Sequence, residues 1–227
     1  MSDQHKKHDG LDEVNEALSR TEQVIEKYQK PILITVLIAI IAVSGILSLR
    51  HFYFVPKEAK AQAELFRGEF YFQADSFRVA LDGNGGDYMG FEAIIDENGS
   101  TKAGNLAKAY AGISYMRLGE YEKAIKHLKS FSAEDLLISP AVIGAVGDCY
   151  VELGNVKEGI NFFEKAASRA QNELLSPLYL KKAGIAYESL GDKKSALKAY
   201  QTIKDNYSTS MEGADIEKYI ERANLSK

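Results

Sequence analysis

Catalysis needs clustered nucleophiles, acid–base pairs or metal ligands, and this chain offers few candidates. Its 227 residues include one cysteine, Cys149, and four histidines, so an intramolecular disulfide and any multi-cysteine zinc or iron–sulfur site are excluded. His5 and His8 stand three apart in the polar run MSDQHKKHDG, but without a third ligand they read as a solvated tail. Cys149, beside Tyr150 at a helical position, reads as a small packed residue rather than a reactive thiol. His127 lies among Lys126 and Lys129 and reads as solvated surface. Asp96-Glu97 and Glu134-Asp135 are acidic pairs with no base or nucleophile beside them. Gly83, Gly85, Gly86 and Gly90 have the composition of a phosphate loop. No strand precedes them and no Gly-Lys-Ser/Thr follows, so they read as a flexible turn. The triplets starting at Asn98, Asn206 and Asn224 match the glycosylation sequon, a pattern that recurs by chance. These residues predict no catalytic set, no metal site and no cofactor.

The charge balance points the same way. Lys plus Arg total 28 against 32 acids, a net charge of −4, and non-specific nucleic-acid binding needs a basic footprint instead. With 45% hydrophobic and 26% charged residues, the chain has the composition of a folded globular protein.

One stretch departs from that average. Ile32 to Leu49 reads ILITVLIAIIAVSGILSL, 18 residues without a charge. At about 1.5 Å per residue it spans roughly 27 Å, close to the hydrocarbon thickness of a bilayer. Lys27, Lys30 and Pro31 bound it on one side and Arg50 on the other; His51, Phe52, Tyr53 and Phe54 then suit an interfacial belt. A cleaved signal peptide fits poorly, because a 30-residue polar region precedes the stretch and no small-x-small site follows it. A buried core helix of this length usually keeps a polar face. The reading is a transmembrane anchor in contact with the lipid bilayer. Five Lys/Arg before it against four after it leave its orientation undecided by charge. Upstream, Leu11, Val14, Leu18, Thr21, Ile25 and Tyr28 follow 3,4,3,4,3 spacing, a narrow helical stripe. That stripe fits a membrane surface, a partner helix or a second copy.

Beyond Pro56 the chain repeats itself. Gly-x-x-Tyr-x-x-Leu-Gly occurs at Gly112–Gly119, Gly147–Gly154 and Gly184–Gly191, at steps of 35 and 37 residues. Five residues after each final glycine comes a small residue (Ala124, Gly159, Ala196), and four further on a large apolar one (Leu128, Phe163, Tyr200). The pattern describes a helical hairpin: a small residue for close approach, Tyr and Leu on one face, and a glycine to end the helix. Pro140 and Pro177 suit the first turns of the next hairpins. Each hairpin leaves apolar surface bare, so hairpins must stack. A fainter copy holds Gly68, Tyr71, Phe77 and Ala80, followed by an excess of about ten residues over the usual unit, with the glycine-rich loop and a short helix near Phe91–Glu97. Ile216, Tyr219, Ile220 and Ala223 form a last amphipathic face that caps the stack.

These residues resemble the tetratricopeptide repeat. The expected fold is all-α: a single N-terminal transmembrane helix, then a helical-hairpin solenoid with a C-terminal capping helix. The expected organisation is a tail with an amphipathic helix over 1–30, an anchor over 31–55 and a repeat domain over 57–227. Within that domain the expected units are a degenerate repeat over 57–98, repeats over 105–138, 140–173 and 177–208, and the cap over 211–225.

The order LSRTEQVIEKYQK, anchor, Phe70-Tyr71-Phe72, DGNGGDYMGF and STKAGNLAKAYAGISYMRLGEYEKAI also resembles the YfgM-type ancillary subunit of the SecYEG translocon, in its Bacteroidota form. That resemblance implies a non-enzymatic inner-membrane protein, cytoplasmic at its N-terminus and periplasmic in its repeats. It also implies partners: the SecYEG translocon, a PpiD-type membrane-anchored chaperone and newly exported polypeptides. It brings no catalytic residues.

In a stack of this kind the first helices line the inner wall. Transferred register places Leu65, Glu69 and Phe72 there from the faint copy and Ile113 and Met116 from copy one. Asp148 and Val151 follow from copy two, and Ile185 and Glu188 from copy three. The wall is thus expected to be apolar with some acidic positions. Related domains that hold acidic chaperone C-termini use Lys and Asn on these helices; Ala109 and Ile113 stand at the matching positions here, so that clamp is missing. The expected function is a membrane-anchored protein–protein interaction module serving the translocon. The alternative is an envelope scaffold for another secretion or cell-wall complex.

Overall fold

The computed structural model describes residues 28–225. The stripe from Leu11 to Ile25 therefore lies outside the described residues. The chain divides into two compact units, Met1–Pro56 and Lys57–Lys227.

In the first unit, residues 28–49 form helix α1, followed by a π-helical turn at Arg50–Phe54. Every described residue of this unit is exposed, including the whole apolar stretch Ile32–Leu49. The helical run Tyr28–Gln73 is the one helix among the described residues long and apolar enough to cross a membrane. Thr35 returns its hydroxyl to the Pro31 carbonyl at 2.8 Å, which satisfies that group without water.

The second unit is a helical-hairpin solenoid. Its elements are α2 (Val55–Gln73), α3 (Phe77–Asp82), α4 (Phe91–Asn98), α5 (Lys102–Arg117), α6 (Tyr121–Ser130), α7 (Ile138–Glu152), α8 (Val156–Ala170), α9 (Leu175–Ser189), α10 (Lys193–Asn206) and α11 (Ile216–Leu225). Three regular hairpins, α5–α6, α7–α8 and α9–α10, stack in chain order, and the first helices α5, α7 and α9 also touch one another.

The repeated motif explains both halves of each hairpin. Gly119, Gly154 and Gly191 sit at φ of +76°, +76° and +75°, the left-handed conformation that stops a helix cheaply only at glycine. The same two bonds close each stop. The next residue's N–H reaches the motif tyrosine carbonyl, with Glu120 to Tyr115 at 2.9 Å, Asn155 to Tyr150 at 2.8 Å and Asp192 to Tyr187 at 3.0 Å. The glycine N–H reaches Met116, Val151 or Glu188 at 2.9–3.1 Å. The earlier glycines act by lacking a side chain. A Cβ on Gly112, Gly147 or Gly184 would meet Leu128 at 2.5 Å, Phe163 at 2.7 Å or Tyr200 at 2.3 Å. Those are the large apolar residues of the second helices, each seated in its glycine notch.

The first hairpin is irregular. Its second helix, α3, has only six residues, and the Gly68 notch is filled instead by Phe91 and Tyr88 from beyond the loop. The loop expected as a flexible turn is pinned. Asn84 Oδ1 accepts the N–H groups of Gly86 (2.9 Å) and Tyr88 (3.1 Å), and the Tyr88 hydroxyl donates to the Ala80 carbonyl at 2.6 Å. Glu58 on α2 caps the start of α5 through the N–H groups of Lys102 (2.7 Å) and Ala103 (2.9 Å). At the far end, Ile216 and Ala223 of α11 are buried against Tyr200 and Ile203.

Candidate protein-interaction groove

The loops before α7 and α9 are built alike. Asp135 accepts the N–H groups of Leu137 (2.8 Å), Ile138 and Ser139. Asn172, one repeat later, accepts those of Leu174 (3.0 Å) and Leu175 (2.8 Å). These Asx turns satisfy the first backbone donors of each helix. They also fix apolar side chains in the open: Leu137 is 55% and Leu174 67% exposed. The loops are tied across the stack as well. Asn172 donates to the Leu136 carbonyl at 2.9 Å, and Asn105 and Ser132 exchange two bonds of 2.7 and 3.1 Å. Burial raises the Asp135 pKa, but its backbone donors outweigh that and hold it below the usual carboxylate range.

Between these turns α5, the first half of α7 and the first residue of α9 line an open apolar groove of about 460 Å³. Leu106, Tyr110 and Ile113 form its floor on the α5 side, and Leu137, Ile138, Leu174 and Leu175 its far rim. No charged side chain lines it. Its chemistry is therefore desolvation of apolar side chains, not proton or group transfer.

The nine residues expected on the inner wall separate. Ile113 lines the groove. Glu69 and Phe72 reach it indirectly through Tyr110. The Phe72 ring meets the Tyr110 ring edge-on at 5.0 Å, and burial together with the Glu69 charge and hydrogen bond raises the Tyr110 pKa. Asp148, Val151 and Ile185 instead line a second, smaller cavity of about 270 Å³, with Phe163 and Lys182. Lys182 binds both Asp148 carboxylate oxygens at 2.8 Å. Leu65, at 5% exposure, belongs to the core rather than the surface. Met116 packs half-buried against the same core, and Glu188 is engaged by Arg222 and by the Tyr200 hydroxyl at 3.2 Å. The groove residues that register transfer missed, Leu137, Ile138, Leu174 and Leu175, lie at or before the helix starts and outside the repeated motif. Their one visible signal is the recurrence of bare leucines just ahead of Pro140 and Pro177.

One cluster has the residue types of an acid–base site. The Tyr115 hydroxyl donates to Glu92 Oε1 at 2.6 Å, His127 Nε2 lies 3.1 Å from the same oxygen, and the Tyr115 and His127 rings stack at 5.3 Å. His127 is only 8% exposed, which corrects its reading as solvated surface: α4 covers it through Glu92. Burial pushes the Tyr115 hydroxyl well above its ordinary value and the His127 imidazole below its own. The cluster joins α4 to the α5–α6 hairpin, away from the groove. Cys149 is buried, and burial pushes its thiol up to about 11, so it stays protonated and packed. Among the described residues no group of three His, Cys, Asp or Glu could hold a metal ion.

The fold is an all-α solenoid of tetratricopeptide-type hairpins, and repeats of this type indicate a protein–protein interaction module. Comparison with known families agrees: residues 142–173 and residues 180–210 each match the tetratricopeptide repeat. These segments cover most of α7–α8 and most of α9–α10, whose geometry repeats in α5–α6. No curated protein matches the chain.

Proposed function

We propose that this protein is a membrane-anchored interaction module of the translocon. α1 holds it in the inner membrane with the N-terminus cytoplasmic and the repeats periplasmic. Its groove engages a PpiD-type chaperone or an exported polypeptide beside the SecYEG channel. The apolar groove between α5, α7 and the start of α9 carries the reading, because exposed leucines held rigid by two Asx turns favour binding of apolar side chains with little ordering cost. The exposed apolar face of α1 supports the anchor: a core helix of that composition would be buried. The family resemblance supports the sidedness and the named partners. Full-length protein extracted in mild detergent is expected to bring SecYEG with it, and deletion of residues 1–56 to abolish that association. Purification free of both channel and chaperone across several detergents would overturn the proposal.

A further inference from the structure

Round α7 from the groove, two adjoining clefts of about 270 and 540 Å³ meet at Ile143 and Lys165. The first lies between α6, α7 and α8 and shares only Val142 with the groove; the second lies between the loop before α7 and the end of α8. Val142, Ile143, Val146 and Phe162 give the first an apolar floor, and the rim of both is basic. Lys129 and Lys165 converge on one ring. Their Nζ atoms stand 5.5 and 6.0 Å from the Phe162 centroid, and that ring stacks on Tyr150 at 5.4 Å. Arg169, one turn beyond Lys165, lines the larger cleft and makes one long bond, 3.4 Å, to the Ala133 carbonyl. Among the described residues none of these three cations forms an ion pair, whereas Lys123 on α6 pairs with Glu120 and Lys182 on α9 with Asp148. Of the acids beside them in sequence, Glu164 takes the Tyr187 hydroxyl at 2.8 Å, Asp135 takes the backbone N–H groups ahead of α7, and Glu134, exposed, pairs with none of the three.

We propose that these clefts hold the headgroup phosphate of an anionic phospholipid between Lys129, Lys165 and Arg169. Two ammonium groups on one ring repel each other until an anion lies between them, and a guanidinium fork fits phosphate oxygens. The apolar surroundings select a lipid. Leu136, 53% exposed, stands beside Lys165 and Arg169 in the larger cleft. A bare apolar side chain flanked by cations suits a bilayer interface, where acyl chains take the leucine and headgroups the charges. A free anion would leave Leu136 and the apolar floor in water. The anchor argues against an acidic peptide, because it holds every copy at a bilayer, where phospholipid outnumbers any such segment. That choice of ligand rests on the membrane reading above; the cationic clefts do not. Bound headgroups would hold α6 and α8 toward the bilayer surface and leave the groove, round α7, to polypeptides.

Full-length protein in phosphatidylcholine vesicles, doped below saturation with a headgroup-photoreactive phosphatidylglycerol, tests this. Adducts mapped by peptide are expected at the ends of α1 and on residues 128–139 and 162–171, which line the clefts. A phosphatidylcholine probe of the same design is expected to mark the ends of α1 alone. Lys129→Gln, Lys165→Gln and Arg169→Gln are each expected to cut the cleft adducts about fivefold, the contribution of one cation at an anionic surface, with the α1 adducts unchanged. Lys129→Arg with Lys165→Arg keeps the charge and is expected to keep the adducts. Cleft adducts no more frequent with phosphatidylglycerol than with phosphatidylcholine, or unmoved by the Gln variants, overturn the proposal. Full competition by inorganic phosphate or by a poly-glutamate peptide, equimolar with the probe, also overturns it, assigning the clefts to a free anion or an acidic polypeptide. Absence of adducts at α1 contradicts the membrane reading and this inference with it. Absence confined to the clefts contradicts this inference alone.

Discussion

Gly184 has no room for a methyl group. Its Cβ would stand 2.3 Å from Tyr200 Cε1, and the Tyr200 ring is fully buried between α9, α10 and α11. Gly184→Ala must therefore push the ring or part the helices, at about 1–3 kcal/mol, read as a lowered urea midpoint. Repair by Tyr200→Leu, which removes the clashing edge, would show that the clash is the cause. His127 makes a second prediction at this scale. Burial lowers its folded pKa below the unfolded value of about 6.5, while Glu92 opposes the shift. Between the two values the unfolded chain binds more protons, so stability rises with pH there. The neutral-imidazole contribution is complete above the unfolded pKa and is lost as pH falls through the folded one. The urea midpoint should fall more between pH 7.5 and 5.5 in the wild type than in His127→Gln, which keeps a donor but does not titrate. Equal falls in the two proteins would contradict this account of the Glu92–His127–Tyr115 cluster.

Helix ends decide the hairpins. Gly191 sits at φ +75° with nothing within 4 Å of its Cβ position, so Gly191→Ala isolates the cost of the left-handed backbone: about 1 kcal/mol, without the packing penalty of Gly184→Ala. Asn172 does more. It accepts two N–H groups at the start of α9 and donates to Leu136 one repeat away. Asn172→Ala should cost about 1–2 kcal/mol, while Asn172→Asp keeps the two accepted bonds and recovers part of it in a thermal melt. Much of this scale was legible in the sequence, because each glycine of the repeated motif answers a local demand, either positive φ or missing volume. The first hairpin was legible only in part. Gly68 and Ala80 announce close packing, but the partner of Gly68 is Phe91 and Tyr88, brought back by a loop whose Asn84 bonds no periodicity encodes. His127 was misread for the same reason: its neighbours on α6 are lysines, and what buries it comes from α4.

For the whole molecule, transferred register leads to the first helices, and the structure spreads its nine positions over the groove, a second cavity and the core. Leu65 and Met116 face the core, and Asp148, Val151 and Ile185 line the smaller cavity. The groove depends on where the loops before α7 and α9 end, and Asp135 and Asn172 set that by hydrogen bonds outside the repeat motif. The central claim is that this groove, and not the outer face of the stack, meets other polypeptides. Site-specific photocrosslinking in living cells tests it, with the reactive side chain at Ile113, Leu137 or Leu174 and controls at Ser168 and Lys198. The account predicts adducts with the chaperone or exported chains from the three groove positions, weakened at least tenfold when the groove also carries Ile138→Asp. Equal capture from groove and control positions, or none from the groove, would contradict it.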